Sequence, residues 1–163
     1  MPGVKSFETI IWDEKRLELR LLDQRVVPER VRYVVCRTYR DVAEAIRNMT
    51  VRGAPAIGVA AAFGVALAAV RSRAKTRESL LKQVSQARAT LAKTRPTAVN
   101  LFWALDRMAK KAESLELEPA EMTEKLVEEA KEIMEEDVRV NMAIGRMGAD
   151  LIPDGGRVLT HCN

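Results

Sequence analysis

From Ala54 to Val70 the chain carries no charged side chain, and alanine, glycine and valine fill most positions. A run with no polar side predicts a helix buried on all sides, with neighbouring backbones close against its small residues. Elsewhere the pattern is two-sided. Phe7 to Trp12 and Leu17 to Leu21 flank Asp13-Glu14-Lys15, and Leu17, Leu19 and Leu21 alternate with Glu18 and Arg20, which predicts a β-hairpin with one wet face. After a polar link from Asp23 to Pro28, Val31, Tyr33 and Val35 alternate with Arg32, Val34 and Cys36 as a third short strand. Residues 7–36 therefore read as a small antiparallel sheet.

The rest of the pattern is helical. Thr38 and Asp41 have the spacing of a capping box, and Val42, Ile46 and Met49 follow at helical intervals toward an end near Thr50. Thr76 opens a segment whose apolar face is Leu80, Leu81, Val84, Ala87 and Leu91, and Arg95-Pro96 ends it, because the residue before a proline is pushed out of the helical region. A fourth helix is expected to start at that proline, with Val99, Phe102, Trp103 and Met108 inward. Pro119 opens a long last helix through Met122, Leu126, Ile133, Met134, Val138 and Met142 to Ile152-Pro153. The fold class is α+β: a small N-terminal sheet followed by an antiparallel helical bundle over 38–152, together one domain over 1–153. Asp154-Gly155-Gly156 is a turn, and Arg157 to Thr160 reads as a strand that stops at His161-Cys162-Asn163 without a partner. The expectation is a fragment that ends just inside a second domain, at 154–163.

Charge changes this picture little. Lysine and arginine total 27 against 23 acidic residues, a net of +4, and aromatic residues are 4% of the chain. A scattered surplus with few stacking rings disfavours nucleic acid and fits an anionic small molecule as well. Cys36 and Cys162 are far apart and accompanied by one histidine, so neither a disulfide framework nor a metal site is indicated, and a reducing cytoplasm is the expected setting. Met1 to Lys15 mixes charge and polarity without a signal-peptide core. The Ala54–Val70 run is alanine-rich and short of the ~20 residues that a bilayer crossing takes, which favours core over membrane.

Candidate chemistry gathers at helix starts. Pro55 suits the first turn of the buried helix, Gly53 permits an unusual approach to it, and Arg52 stands directly before it. A cation opposes the positive end of a helix dipole, so this placement points to an anion between the guanidinium and the free amides. Arg95-Pro96 repeats the arrangement, and two such starts in one bundle could converge on one phosphate. The same spacing also fits arginines that are merely solvated. Cys162 lies at the carboxyl end of the last strand, the edge where open α/β sheets bind ligands, yet cysteine is also a common small buried hydrophobe. Adjacent residues of a strand point to opposite faces, so His161 and Cys162 are not expected to form a nucleophile–base pair readily. Cys36 reads as structural, and Phe102 and Trp103 read as core rather than as a stacking platform.

Trp12-Asp13, the LLDQR run from Leu21 to Arg25 with Pro28, VRGAPAIG from Val51 to Gly58, RPTAVNLFWAL from Arg95 to Leu105 and VLTHCN from Val158 to Asn163 together resemble the methylthioribose-1-phosphate isomerase family. That family stands with ribose-1,5-bisphosphate isomerases and with regulatory subunits of the translation-initiation guanine-nucleotide exchange factor. The resemblance implies an N-terminal helical domain, a Rossmann-like second domain begun by 154–163, and a ligand in the cleft between them. It implies an aldose–ketose isomerase of methionine salvage, taking 5-methylthioribose 1-phosphate to 5-methylthioribulose 1-phosphate. No metal and no organic cofactor are implied, and the full-length enzyme is expected as a homodimer. Phosphate and sugar contacts fall on Arg52, Gly53, Ala54 and Arg95, and the catalytic cysteine falls on Cys162. The family's catalytic aspartate lies beyond Asn163.

Overall fold

The computed structural model describes residues 7–161. Strands β1 (Ile10–Asp13), β2 (Glu18–Leu22) and β3 (Tyr33–Cys36) form an antiparallel sheet in that order, with Ile10 opposite Leu21 and Leu19 opposite Cys36. The Asp13 carboxylate closes the first turn by accepting from the backbone N–H groups of Lys15 (3.1 Å) and Arg16 (3.0 Å). The expected clean alternation is not found. Leu17 belongs to the turn, in the left-handed region at φ 50°, while Glu18 and Leu22 are buried along with Leu19 and Leu21. Glu18 tolerates burial because the Arg37 guanidinium donates to it at 3.1 Å, which leaves Arg20, over the Tyr33 ring, as the wet position of the strand.

Five helices follow: α1 (Tyr39–Arg47), α2 (Ala54–Val70), α3 (Arg77–Ala92), α4 (Val99–Ser114) and α5 (Pro119–Ala149). Reciprocal capping boxes start α1 (Thr38 with Asp41) and α3 (Thr76 with Ser79). Met49 lies past the end of α1 at φ 62° and is half exposed, so it is not part of that helix's inner face. As expected, α2 is the centre of the bundle, buried from Ile57 to Ala69 and packed on all four other helices. Phe63 stacks on Trp12, with ring centroids 5.2 Å apart, and this joins sheet to bundle.

Glycine sets the closest helix approach. A Cβ added at Gly58 would stand 2.8 Å from the Asn100 carbonyl oxygen, so α2 and α4 touch backbone to backbone near their starts. The two helices run parallel, and α3 runs against α4: Arg77 at the start of α3 donates to the carbonyls of Glu113 and Leu115 at the end of α4, each at 2.7 Å.

Two boundaries differ from the sequence reading. Arg95-Pro96-Thr97-Ala98 forms a turn closed by the Ala98 N–H on the Arg95 carbonyl (3.0 Å), with proline at its favoured second position, so α4 begins at Val99. Its inner stripe is Leu101, Ala104, Leu105, Met108 and Ala112, while Val99 (78% exposed), Phe102 and Trp103 (48%) look outward. In α5 the buried stripe of Met122, Leu126, Val127, Ala130 and Ile133 stops halfway, and Val138 and Met142 are exposed. The reason is length. At ~1.5 Å per residue, the 31 residues of α5 overrun the 17 of α2 and the 16 of α4.

Beyond α5, Gly155 takes φ 72° in a turn, and residues 157–161 are exposed and form neither helix nor strand, so the strand expected over Arg157–Thr160 is not found. Among the described residues no helix is long and apolar enough to cross a membrane.

Candidate functional site

Parallel packing of α2 and α4 puts both helix starts at one end of the bundle. At the first, Gly53 is the N-cap with φ 100° and ψ 134°, a backbone conformation open to glycine and strained for other residues. No side chain caps the helix, and its first internal bond runs from the Ile57 N–H to the Gly53 carbonyl (2.9 Å). The N–H groups of Ala54 and Ala56 thus precede the internal ladder, and Ala54 and Pro55 are exposed. Arg52 is partly buried; its guanidinium donates to the Gln24 carbonyl at 3.2 Å, while its buried Nε has no partner.

The second start is built differently. Arg95, also partly exposed, opens the proline turn, and Ala98 caps α4 without a side-chain hydrogen bond. Among the described residues neither Arg52 nor Arg95 joins an ion pair. Two guanidiniums free of carboxylates, beside two uncapped helix N-termini, form an arrangement suited to an anion.

A cleft of about 340 Å³ opens beside these starts. Its walls are the first turns of α2 and α4 and the middle of α5, with Pro55, Val59, Val99, Trp103, Ile133 and Asp137 among the lining residues. The Arg107 guanidinium lies 5.5 Å from the ring centroid of the lining Trp103 and donates to Glu129 (2.7 Å) and Glu136.

The LLDQR run supports the first start, a role that reading it as a polar link had missed. Asp23 is fully buried and accepts from Arg25 (2.8 and 2.9 Å) and from Arg32. The hydrogen bonds from Arg25 hold its carboxyl far below the usual carboxylate range, against the opposing effect of burial, with Arg32 adding to the shift. Next to it, Gln24 donates through its backbone N–H to the Thr50 carbonyl (2.9 Å) and through its side chain to the Arg52 carbonyl (3.0 Å). The available signal was an acid directly after an apolar strand, with arginines nearby on either side of the link.

Of the two cysteines, Cys36 is buried in the sheet, and desolvation, helped by the Asp41 charge, pushes its thiol up to about 12. It is no acid or base near neutrality. Cys162 lies outside the described residues. Among those described, no cluster of histidine, cysteine and carboxylate side chains is arranged to hold a metal.

The sequence pattern of the initiation factor 2 subunit family matches residues 50–163, which takes in both helix starts. The chain belongs to that family. Within it, the chain is 48% identical over 157 residues to a methylthioribose-1-phosphate isomerase of Pelotomaculum thermopropionicum, covering 96% of this chain and 43% of that protein. It is 53% identical over 146 residues to the methylthioribose-1-phosphate isomerase of Thermotoga neapolitana, covering 89% and 41%. Among solved structures, 5-methylthioribose 1-phosphate isomerase from Pyrococcus horikoshii superimposes with a TM-score of 0.85 at 44% identity, covering 91% of this chain and 42% of that one. The delta subunit of translation initiation factor eIF-2B from A. fulgidus gives 0.86 at 40%, covering 97% and 45%. The chain thus spans less than half the length of these relatives from the initiation factor 2 subunit family.

Proposed function

We propose that the full-length protein is an aldose–ketose isomerase converting 5-methylthioribose 1-phosphate to 5-methylthioribulose 1-phosphate. The observation that carries this reading is the pair of uncapped, arginine-led helix starts at one end of the bundle, in a chain so similar to proteins named for that reaction. In this reading Arg52, the amides at Gly53 and Ala54, and Arg95 hold the phosphate. The chemistry calls for such a fixed anchor. A phosphate on the anomeric carbon prevents spontaneous ring opening, so the enzyme must supply an acid at the ring oxygen and a group near C1 and C2 to move hydrogen, in a site shielded from water. Cys162 takes a place beside those carbons. Residues 154–163 then begin a second, Rossmann-like domain, and the substrate sits in the cleft between it and 1–153. The resemblance carries the further expectation of a cytoplasmic homodimer working without metal or organic cofactor.

A second reading, a non-catalytic regulatory subunit, draws on the likeness to the A. fulgidus protein. A third, from the resemblance, takes ribose 1,5-bisphosphate as substrate. Full-length protein incubated with each sugar and followed by NMR separates all three. Ketose formed from the methylthio sugar supports the proposal; turnover of the bisphosphate alone, or of neither sugar together with capture of initiation-factor partners, overturns it.

A further inference from the structure

The geometry points to Asn48 as a positioning residue for Arg52: its side chain fixes the turn between α1 and α2, so that the guanidinium is presented at the start of α2 before an anion arrives. The inference rests on the proposed phosphate-binding role of Arg52 and deepens it. Three observations carry it.

The first is a side chain that serves the backbone just ahead of the site. Asn48 caps the end of α1, its own N–H donating to the Glu44 carbonyl at 2.9 Å. Its Oδ1 accepts from both the N–H (3.0 Å) and the hydroxyl (2.7 Å) of Thr50. Thr50 is 1% exposed, so water is not at hand to replace either bond. A residue at 48 without a side-chain oxygen would leave that buried N–H and hydroxyl without their acceptor.

The second is strain. Met49, between the two, has φ 62° and is half exposed, so it gains little burial in a backbone conformation that suits glycine or asparagine. A side chain holds that conformation where its surroundings over-determine it. Here the Asn48–Thr50 bonds span it, as in an Asx-turn, where an asparagine oxygen accepts from the N–H two residues on.

The third is where the constraint leads. The Val51 N–H donates to the Ala45 carbonyl (3.2 Å), the Thr50 carbonyl accepts from the Gln24 N–H (2.9 Å), and the Arg52 carbonyl accepts from the Gln24 side chain (3.0 Å). Residues 50–52 are thus held from two sides, by α1 and by the loop after β2, and the next residue is Gly53, the N-cap of α2. The Arg52 guanidinium donates to a neutral carbonyl, that of Gln24 (3.2 Å), which an anion outcompetes. The backbone behind it is already fixed, so binding an anion there carries little cost of ordering.

The test is a double-mutant cycle. Full-length wild type, Asn48→Ala, Arg52→Ala and the double variant are titrated by calorimetry with 5-methylthioribose 1-phosphate and with inorganic phosphate, and melting is followed in parallel. Asn48→Ala is expected to weaken both ligands about three- to tenfold in the wild-type background, and by less than about twofold once Arg52 is alanine. An asparagine with a purely structural role would cost the same in both backgrounds. Thr50→Val, which replaces the hydroxyl by a methyl group, supplies a second cycle with the same expected pattern if Asn48→Ala does not fold, and Thr50→Ser, which keeps both donors, should bind as wild type does. Equal losses in the two backgrounds, or unchanged binding in the folded variants, overturn the positioning role. Unchanged binding in Arg52→Ala overturns it as well, and takes the phosphate reading of this helix start with it. Turnover is read separately: a protein that shows the expected cycle but makes no ketose defeats the isomerase reading and leaves the positioning role standing.

Discussion

Gln24 and Arg52 hold each other by two reciprocal hydrogen bonds, side-chain amide to Arg52 carbonyl at 3.0 Å and guanidinium to Gln24 carbonyl at 3.2 Å. With the Gln24 N–H on the Thr50 carbonyl, the loop after β2 is tied to the chain entering α2. The guanidinium is oriented by one residue while its Nε stays buried without a partner.

Gln24→Ala removes the side-chain bond and keeps the two backbone ones. A neutral hydrogen bond contributes ~0.5–1.5 kcal/mol net, so the full-length protein, on the proposed isomerase reading, should lose roughly two- to tenfold in phosphate-ligand affinity. KM should rise with little change in kcat, because Gln24 touches Arg52 rather than the reacting carbons, and Gln24→Glu should restore less than Gln24→His or Gln24→Asn. An effect on kcat alone would count against a positioning role.

Asp23 gives the loop its pH dependence. Its folded carboxyl lies far below the unfolded value near 3.8, so its contribution to stability is present above that value and is lost as pH falls through the lower, folded one. Asp23→Asn should therefore lower the melting temperature at pH 7 and flatten the loss of stability below about pH 4. Parallel acid-unfolding curves for wild type and variant would show that the buried carboxylate is not what titrates.

Much of this was legible beforehand because the strongest signals are local. The Thr38–Asp41 box, the proline starts at Pro55 and Pro119 and the uncharged Ala54–Val70 run each fix an element through its own residues. The errors lie where a neighbour decides. Proline at 96 serves a turn as readily as a helix start, and the Ala98–Arg95 bond chose the turn. Hydrophobicity alone points Trp103 and Phe102 inward, but Leu101, Leu105 and Met108 already fill the buried face of α4. The apolar spacing of α5 continues past Ile133, while the helices beside it do not. Gln24 was invisible as a site residue because its partner is 28 positions away.

Gly58 should not accept a side chain. A methyl there would meet the Asn100 carbonyl oxygen at 2.8 Å, and both partners are backbone in packed helices, so neither yields easily. Gly58→Ala is expected to cost ~1–3 kcal/mol in denaturant unfolding and to weaken phosphate-ligand binding as α4 moves away from α2. Wild-type stability in that variant would mean the helices separate freely.

Cys36 should behave as an inert thiol. With its pKa pushed up to about 12, the neutral form is the stable one in the fold, so its contribution is intact below the unfolded value of 9.0 and fades as pH rises from there toward 12. At pH 8, iodoacetamide should leave Cys36 unmodified in folded protein and alkylate it in urea, as read by peptide mass spectrometry. Modification in the folded state at the rate of a free thiol would remove the structural assignment.

Arg52 and Arg95 supply the last expectation, because sharing one phosphate differs measurably from binding two anions. Charge-assisted hydrogen bonds are worth ~1.5–3 kcal/mol, so Arg52→Ala and Arg95→Ala should each weaken 5-methylthioribose 1-phosphate binding by at least about tenfold in the full-length protein. If both guanidiniums face the same phosphate, loss of one lets the anion shift toward the other, and the two costs are coupled. The double variant should then depart from the sum of the single costs by more than ~0.5 kcal/mol, the scatter seen for independent sites. Strict additivity, with inorganic phosphate sensing one arginine alone, would place the two residues at separate sites, even though the starts of α2 and α4 share one end of the bundle.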